Sequence, residues 1–82
     1  MQSGTVEFDI HGMRRSEAKA FLEMRINRIG REVYRIRVIH GFHSGTELRD
    51  MVRKELSKHP KVIRCEIGLN QGESELVLRE YY

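Results

Sequence analysis

Twice in this chain a run of alternating apolar residues gives way, across a glycine, to apolar residues spaced three and four apart, and few folds accommodate that switch of period. Val6, Phe8 and Ile10 alternate with Glu7, Asp9 and His11, the pattern of a half-buried strand, and the run stops at Gly12. Ser16 is placed to cap a helix whose apolar stripe is Ala18, Phe21, Leu22, Ile26 and Ile29, with Gly30 as a terminating residue. The second round begins with a predicted strand from Val33 to Ile39, in which Tyr34, Ile36 and Val38 share one parity and Arg35 and Arg37 the other. After His40 and Gly41, Ser44 and Glu47 have capping-box spacing, Leu48, Met51, Val52 and Leu56 trace a second helical stripe, and Pro60 ends it. Two further strands, Val62 to Leu69 and Glu75 to Tyr81, flank the turn-forming Asn70-Gln71-Gly72-Glu73. The order is βαβαββ. Crossovers through helices demand parallel neighbours and the closing hairpin an antiparallel one, so the expected fold is an α/β two-layer sandwich: a four-stranded mixed sheet with two helices on one face.

Eighty-two residues suffice for one core and not two, so a single domain is expected, with its core from about residue 5 to residue 81. The single cysteine, Cys65, allows neither an internal disulfide nor a thiolate metal cage, which leaves packing to hold the fold. No apolar run reaches the roughly 18–20 residues of a membrane span, and Met1 to Ile10 lacks the basic start and apolar centre of a secretory signal; a cytoplasmic protein is expected, with no membrane partner. Fifteen basic residues against twelve acidic ones give a net charge of +3, mildly favourable to polyanions and shared by many domains that bind none.

Parity sorts the sheet into two faces. With both helices over Phe8, Ile10, Ile36, Val38, Ile63, Cys65, Ile67, Leu76 and Leu78, the opposite face shows Glu7, Asp9, His11, Arg35, Arg37, Arg64, Glu66, Glu75 and Arg79. Such a face suits a polar substrate, and it equally suits cross-strand ion pairs. Asp9 and His11 share that face at a strand end, and a carboxylate beside an imidazole can orient the ring for proton transfer; a histidine that merely finishes a strand has the same spacing. The segment His40, Gly41, Phe42, His43, Ser44, Gly45, Thr46 runs from a strand end into a helix start, where free N–H groups, the helix dipole and two hydroxyls could hold phosphate. It is neither a P-loop nor a dinucleotide fingerprint, and an ordinary capped connection reads the same way. Arg49, a cation in the first turn of that helix, opposes the dipole unless an anion sits there. His40 and His43 match no metal-ligand spacing, so no metal site is expected from the residues.

Together these segments resemble the Smr (small MutS-related) domain. Phe8-Asp9-Ile10-His11-Gly12 is similar to the LDLHG opening of that family, with Glu17-Ala18 after it. Val38-Ile39-His40-Gly41 resembles the strand entering the HGxG loop, Leu48-Arg49 the leucine–arginine pair that follows, and His59-Pro60-Lys61-Val62 the HPxV segment. His43 stands where the family loop usually has a second glycine, and Glu73 and Glu75 bring negative charge where the family has a glycine-rich segment. The resemblance implies a fold like the C-terminal domain of bacterial translation initiation factor three. It also implies nucleic-acid binding, cleavage or nicking of DNA or RNA, roles in DNA repair and recombination, and action on stalled ribosomes. On that basis Asp9 and His11 are the candidate catalytic residues. His40, Gly41, His43, Ser44, Gly45, Thr46 and Arg49, with Arg35 and Arg37 on the sheet, are the candidate backbone-binding residues. With RNA the 2′-hydroxyl can act as nucleophile and no metal is needed; with DNA a divalent ion such as magnesium or manganese is favoured as a cofactor. The competing expectation is a docking module for nucleic acid or the ribosome that does not cut, and a third is a protein-binding adaptor.

Overall fold

Residues 4–41 and 46–80 are described by the computed structural model of the protein. The elements follow the expected order: β1 (Thr5–Asp9), α1 (Arg15–Arg28), β2 (Arg35–Ile39), a second helix over residues 47–58, β3 (Arg64–Ile67) and β4 (Glu73–Val77). β1 lies parallel to β2, β4 is antiparallel to both β2 and β3, and the sheet order is β1-β2-β4-β3. The hairpin therefore inserts its second strand into the middle of the sheet and leaves β1 and β3 at the edges.

One apolar cluster joins the layers. Ala18, Leu22 and Ile26 of α1 and Leu48, Met51, Val52 and Leu56 of the second helix pack on Ile10, Ile36, Val38 and Leu76 of the sheet, so both helices cover the same face. At the β1 edge Phe8 and Phe21 meet edge to face at 5.7 Å between centroids, with the Arg25 guanidinium over both rings. The helices are tied to each other by ion pairs of Glu55 with Arg15 and Lys19. His59, at the C-cap of the second helix, adds a bond from its Nε2 to Asn27 Oδ1 at 3.0 Å. No helix among the described residues is long and apolar enough to cross a membrane.

Four details depart from the sequence pattern. α1 begins at Arg15 with Arg14 as its N-cap, whose N–H donates to Glu17 Oε1, so Ser16 lies inside the first turn instead of capping it. The second helix takes Thr46 as its N-cap; Ser44 lies outside the described residues, as do Phe42, His43 and Gly45. That helix is α-helical only over Glu47–Asp50, widens to a π turn at Met51–Glu55 and tightens to a 3-10 turn at Leu56–Lys58. Finally, β4 starts two residues early, at Glu73, and ends at Val77, so parity fails beyond it: Arg79 leaves the open face and lies over the Tyr34 ring.

The parity faces otherwise hold, with exceptions at the rim. Ile63 and Ile67 have core parity yet are exposed, because β3 is an edge strand. Val77 has open-face parity yet is buried, flanked in register by Arg35 and Arg64, whose aliphatic stems can shield it. The open face is a lattice of ion pairs. Arg35 Nη1 donates to Glu66 Oε1 at 2.8 Å and to Glu75 Oε1 at 2.9 Å, Arg37 reaches Glu75 and Glu7, and Arg64 holds Glu66 and Glu80.

Candidate functional site

At the carboxyl ends of the parallel pair β1 and β2 the chain assembles a polar cluster, in the position where open α/β sheets commonly bind ligands. β1 hands the chain to His11 through one more ladder bond, Ile10 N–H to Ile39 O at 2.8 Å. Asp9 then folds its carboxylate forward: Oδ1 accepts from the His11 backbone N–H at 3.0 Å and lies 2.6 Å from His11 Nδ1. A carboxylate accepts and Nδ1 therefore donates, which directs Nε2 outward. Both side chains are more than half exposed, and Nε2 has no hydrogen-bond partner among the described residues. The bonds from the His11 side chain and backbone hold the Asp9 carboxyl below its usual range, so it is ionised at neutral pH.

Gly12 and Gly41 carry positive φ, +83° and +79°. At Gly41 the conformation has a second consequence: a Cβ there would stand 3.4 Å from the Cβ of His11, so the bare backbone of the β2 turn backs the catalytic candidate. The N–H groups of His40 and Gly41 both donate to the Gly72 carbonyl, at 2.9 and 3.0 Å, which anchors that turn to the β3–β4 hairpin.

His40 is buried, with 1% of its surface exposed. Its Nδ1 donates to the Gly41 carbonyl at 2.9 Å and its Nε2 lies 2.9 Å from Ser74 Oγ, which in turn accepts from Arg53 Nε at 2.8 Å. With Oγ accepting from the guanidinium and its own proton directed to Nε2, every group is satisfied by a neutral imidazole. Burial pushes the His40 pKa down, and the charges of Arg53 and Arg49 push the same way. Any effect of His40 on a ligand thus passes through Gly41, Ser74 and Arg53.

Arg49 sits in the first turn of the second helix with its guanidinium 3.4 Å from Asp50 Oδ1. Its charge and that of Arg53, one turn on, both act on the buried His40. Thr46 is exposed at the helix start. Arg35 and Arg37 sit away from this cluster on the open face, each engaged by carboxylates; the same pairing occupies Glu75, while Glu73 Oε1 lies 4.0 Å from Arg37 Nε. Among the described residues no three His, Cys, Asp or Glu side chains converge to hold a metal ion.

Two members of the cluster escape sequence reasoning. Ser74 was hidden by starting the last strand at Glu75; extended by two residues, the strand shows a serine at core parity before Leu76, a signal that it must find a buried partner. Arg53 follows Arg49 at i+4 on one helical face, which is a legible signal of paired cations.

The comparisons agree on one family. The Smr domain matches residues 8–75 of the sequence. The fold aligns with the crystal structure of the Smr domain of Thermus thermophilus MutS2 at a TM-score of 0.78 and 20% identity, covering 90% of this chain and 98% of that one, a likeness that carries the fold alone. No curated protein matches this chain.

Proposed function

This chain belongs to the Smr domain family, and from that premise we propose that it binds a nucleic-acid backbone and cleaves it, with His11 as the proton-transfer group. The observation that carries the proposal is the 2.6 Å contact between Asp9 Oδ1 and His11 Nδ1, which leaves Nε2 directed to solvent at a strand-end rim. Asp9 fixes the tautomer and orientation of the ring and stabilises the imidazolium that forms when Nε2 takes a proton.

With RNA, Nε2 accepts the proton of the 2′-hydroxyl as O2′ attacks phosphorus; the bond to the 5′-oxygen breaks, that oxygen takes up a proton, and a cyclic phosphate and a 5′-hydroxyl result. Arg49 and Arg53 supply positive charge beside the helix start for the phosphate oxygens, and Gly41 keeps the backbone low enough beneath His11 for a polymer to approach. His40 is a positioning residue in this scheme, holding the Gly41 turn and orienting Arg53 through Ser74. His43, Ser44 and Gly45, in the loop between Gly41 and Thr46, complete the proposed backbone-binding set.

Incubation of the protein with end-labelled structured RNA, single-stranded DNA and supercoiled plasmid, each with Mg²⁺, Mn²⁺ or EDTA, tests the proposal. Cleavage that Asp9→Ala and His11→Ala both lose supports it and names the substrate. Salt-sensitive binding without cleavage, or cleavage indifferent to both substitutions, overturns the catalytic assignment and leaves a docking module.

A further inference from the structure

β3 is an edge strand, and the segment around it carries the three most exposed large apolar side chains among the described residues: Ile63 at 53%, Ile67 at 74% and Leu69 at 86% exposure. An unpaired edge flanked by exposed apolar groups invites another strand. We propose that the occupant is a second copy of this chain, paired antiparallel to β3 about Cys65.

The segment Ile63-Arg64-Cys65-Glu66-Ile67 is complementary to itself when reversed. Antiparallel pairing centred on Cys65 sets Arg64 opposite Glu66 of the second copy twice, Ile63 opposite its Ile67 twice, and the two cysteines opposite each other. No other centre within the strand matches both charge and apolarity. The backbone agrees with this register. Gly68 donates to the Glu73 carbonyl, and the β3–β4 pairing steps from there, so Glu66 bonds inward to β4 while Cys65 and Ile67 turn their N–H and C=O to the outer edge; at the start of the strand the Ile63 N–H is given inward to the Val77 carbonyl at 2.7 Å. Around its centre the pairing uses those outward groups of Cys65 and Ile67, and the Arg64–Glu66 contacts then fall at the closer, non-hydrogen-bonded positions.

A cleft supplies the third observation. Beside the edge lies a hollow of about 250 Å³ lined by Ile29, Val33, Pro60, Ile63, Leu78 and Arg79. In the proposed register Ile67 of the second copy stands over Ile63 at its mouth, and continuing the register two residues sets Leu69 opposite Lys61, another wall of the hollow. The two most exposed apolar side chains are thereby covered. The pairing joins two four-stranded sheets into one, and because Asp9 ends β1 at the opposite edge and His11 follows it, both candidate sites stay open.

Charge exchange tests this directly. Sedimentation equilibrium over a wide concentration range should show a reversible dimer. Glu66→Arg puts arginine opposite arginine and Arg64→Glu puts glutamate opposite glutamate, so each should weaken the dimer at least tenfold. An equimolar mixture of the two variants, and the double variant R64E/E66R, restore opposite charges at every position and should restore assembly, which a folding defect would not do. Mild oxidation of the parent should link two chains through Cys65. A parent that stays monomeric at every concentration, or a dimer that both single substitutions leave unchanged, overturns the proposal.

Discussion

His11 and Asp9 stand at a strand end with solvent around them, so in the proposed reaction their contribution is chemical and their removal should leave the fold alone. His11→Ala is expected to lower cleavage by about 10²–10⁴-fold, the usual worth of a positioned acid–base group, while binding changes little. Asp9→Asn keeps an acceptor for the His11 N–H but removes the charge that steadies the imidazolium, so cleavage falls while binding is retained. Single-turnover cleavage from pH 5 to 8 measures both. Gly41 presents a different case, a residue whose backbone conformation shapes the turn behind His11. Its φ of +79° makes alanine costly by about 1–2 kcal/mol. The new methyl also crowds the His11 Cβ at 3.4 Å. Gly41→Ala should lower the melting temperature by several degrees and slow cleavage together, and melting followed alongside activity checks the pairing.

Between elements, the bonds that matter are those joining β2, β4 and the second helix through His40, Ser74 and Arg53. Ser74→Ala would leave His40 Nε2 and Arg53 Nε without their partner in a buried setting, a loss of about 1–3 kcal/mol visible as an earlier urea midpoint. Ser74→Thr, which keeps the hydroxyl, should recover part of it. Much of this scale is legible in the residues alone. The βαβαββ order, the shared helix-covered face and the pairing of Asp9 with His11 follow from period and parity, because a strand that buries one face must alternate. Boundaries are not legible in the same way. Nothing in the alternation at Glu73 to Leu76 says where the turn ends, since Gly72 and Glu73 suit a turn as well as a strand, and that two-residue uncertainty concealed Ser74 and misplaced Arg79 on the open face. Nor does periodicity distinguish an α turn from the π turn at Met51–Glu55, because both keep Met51, Val52 and Leu56 buried. The open-face arginines show a further limit. Parity sets Arg35, Arg37 and Arg64 on one face with Glu66 and Glu75, and only the register says which of them pair.

For the whole molecule, the cationic residues are divided between the ion-pair lattice of the open face and the rim beside His11, and that division sets how binding should respond to salt. Because Arg35, Arg37 and Arg64 are each held by two or more carboxylates, the proposed phosphate contacts are assigned to the rim cations, Arg49 and Arg53 among them, and log Kd against log salt should have a shallow slope set by those few contacts. Arg49→Ala should lower that slope by about one, whereas Arg35→Ala should leave it unchanged; fluorescence anisotropy titrations at several salt concentrations distinguish them. Stability responds to pH through a different residue. His40 is held neutral in the fold, with its pKa below the model-peptide value of 6.5, so the unfolded chain binds the proton more readily. Stability from this group is present in full above that value and is lost as pH falls through it towards the lower folded pKa, where the loss levels off. Urea unfolding between pH 8 and pH 5 should therefore show a midpoint that falls with acidity, and His40→Gln, which cannot titrate, should flatten that fall while lowering stability across the range. A His40→Gln protein that loses stability in acid as steeply as the parent would assign the effect to another group.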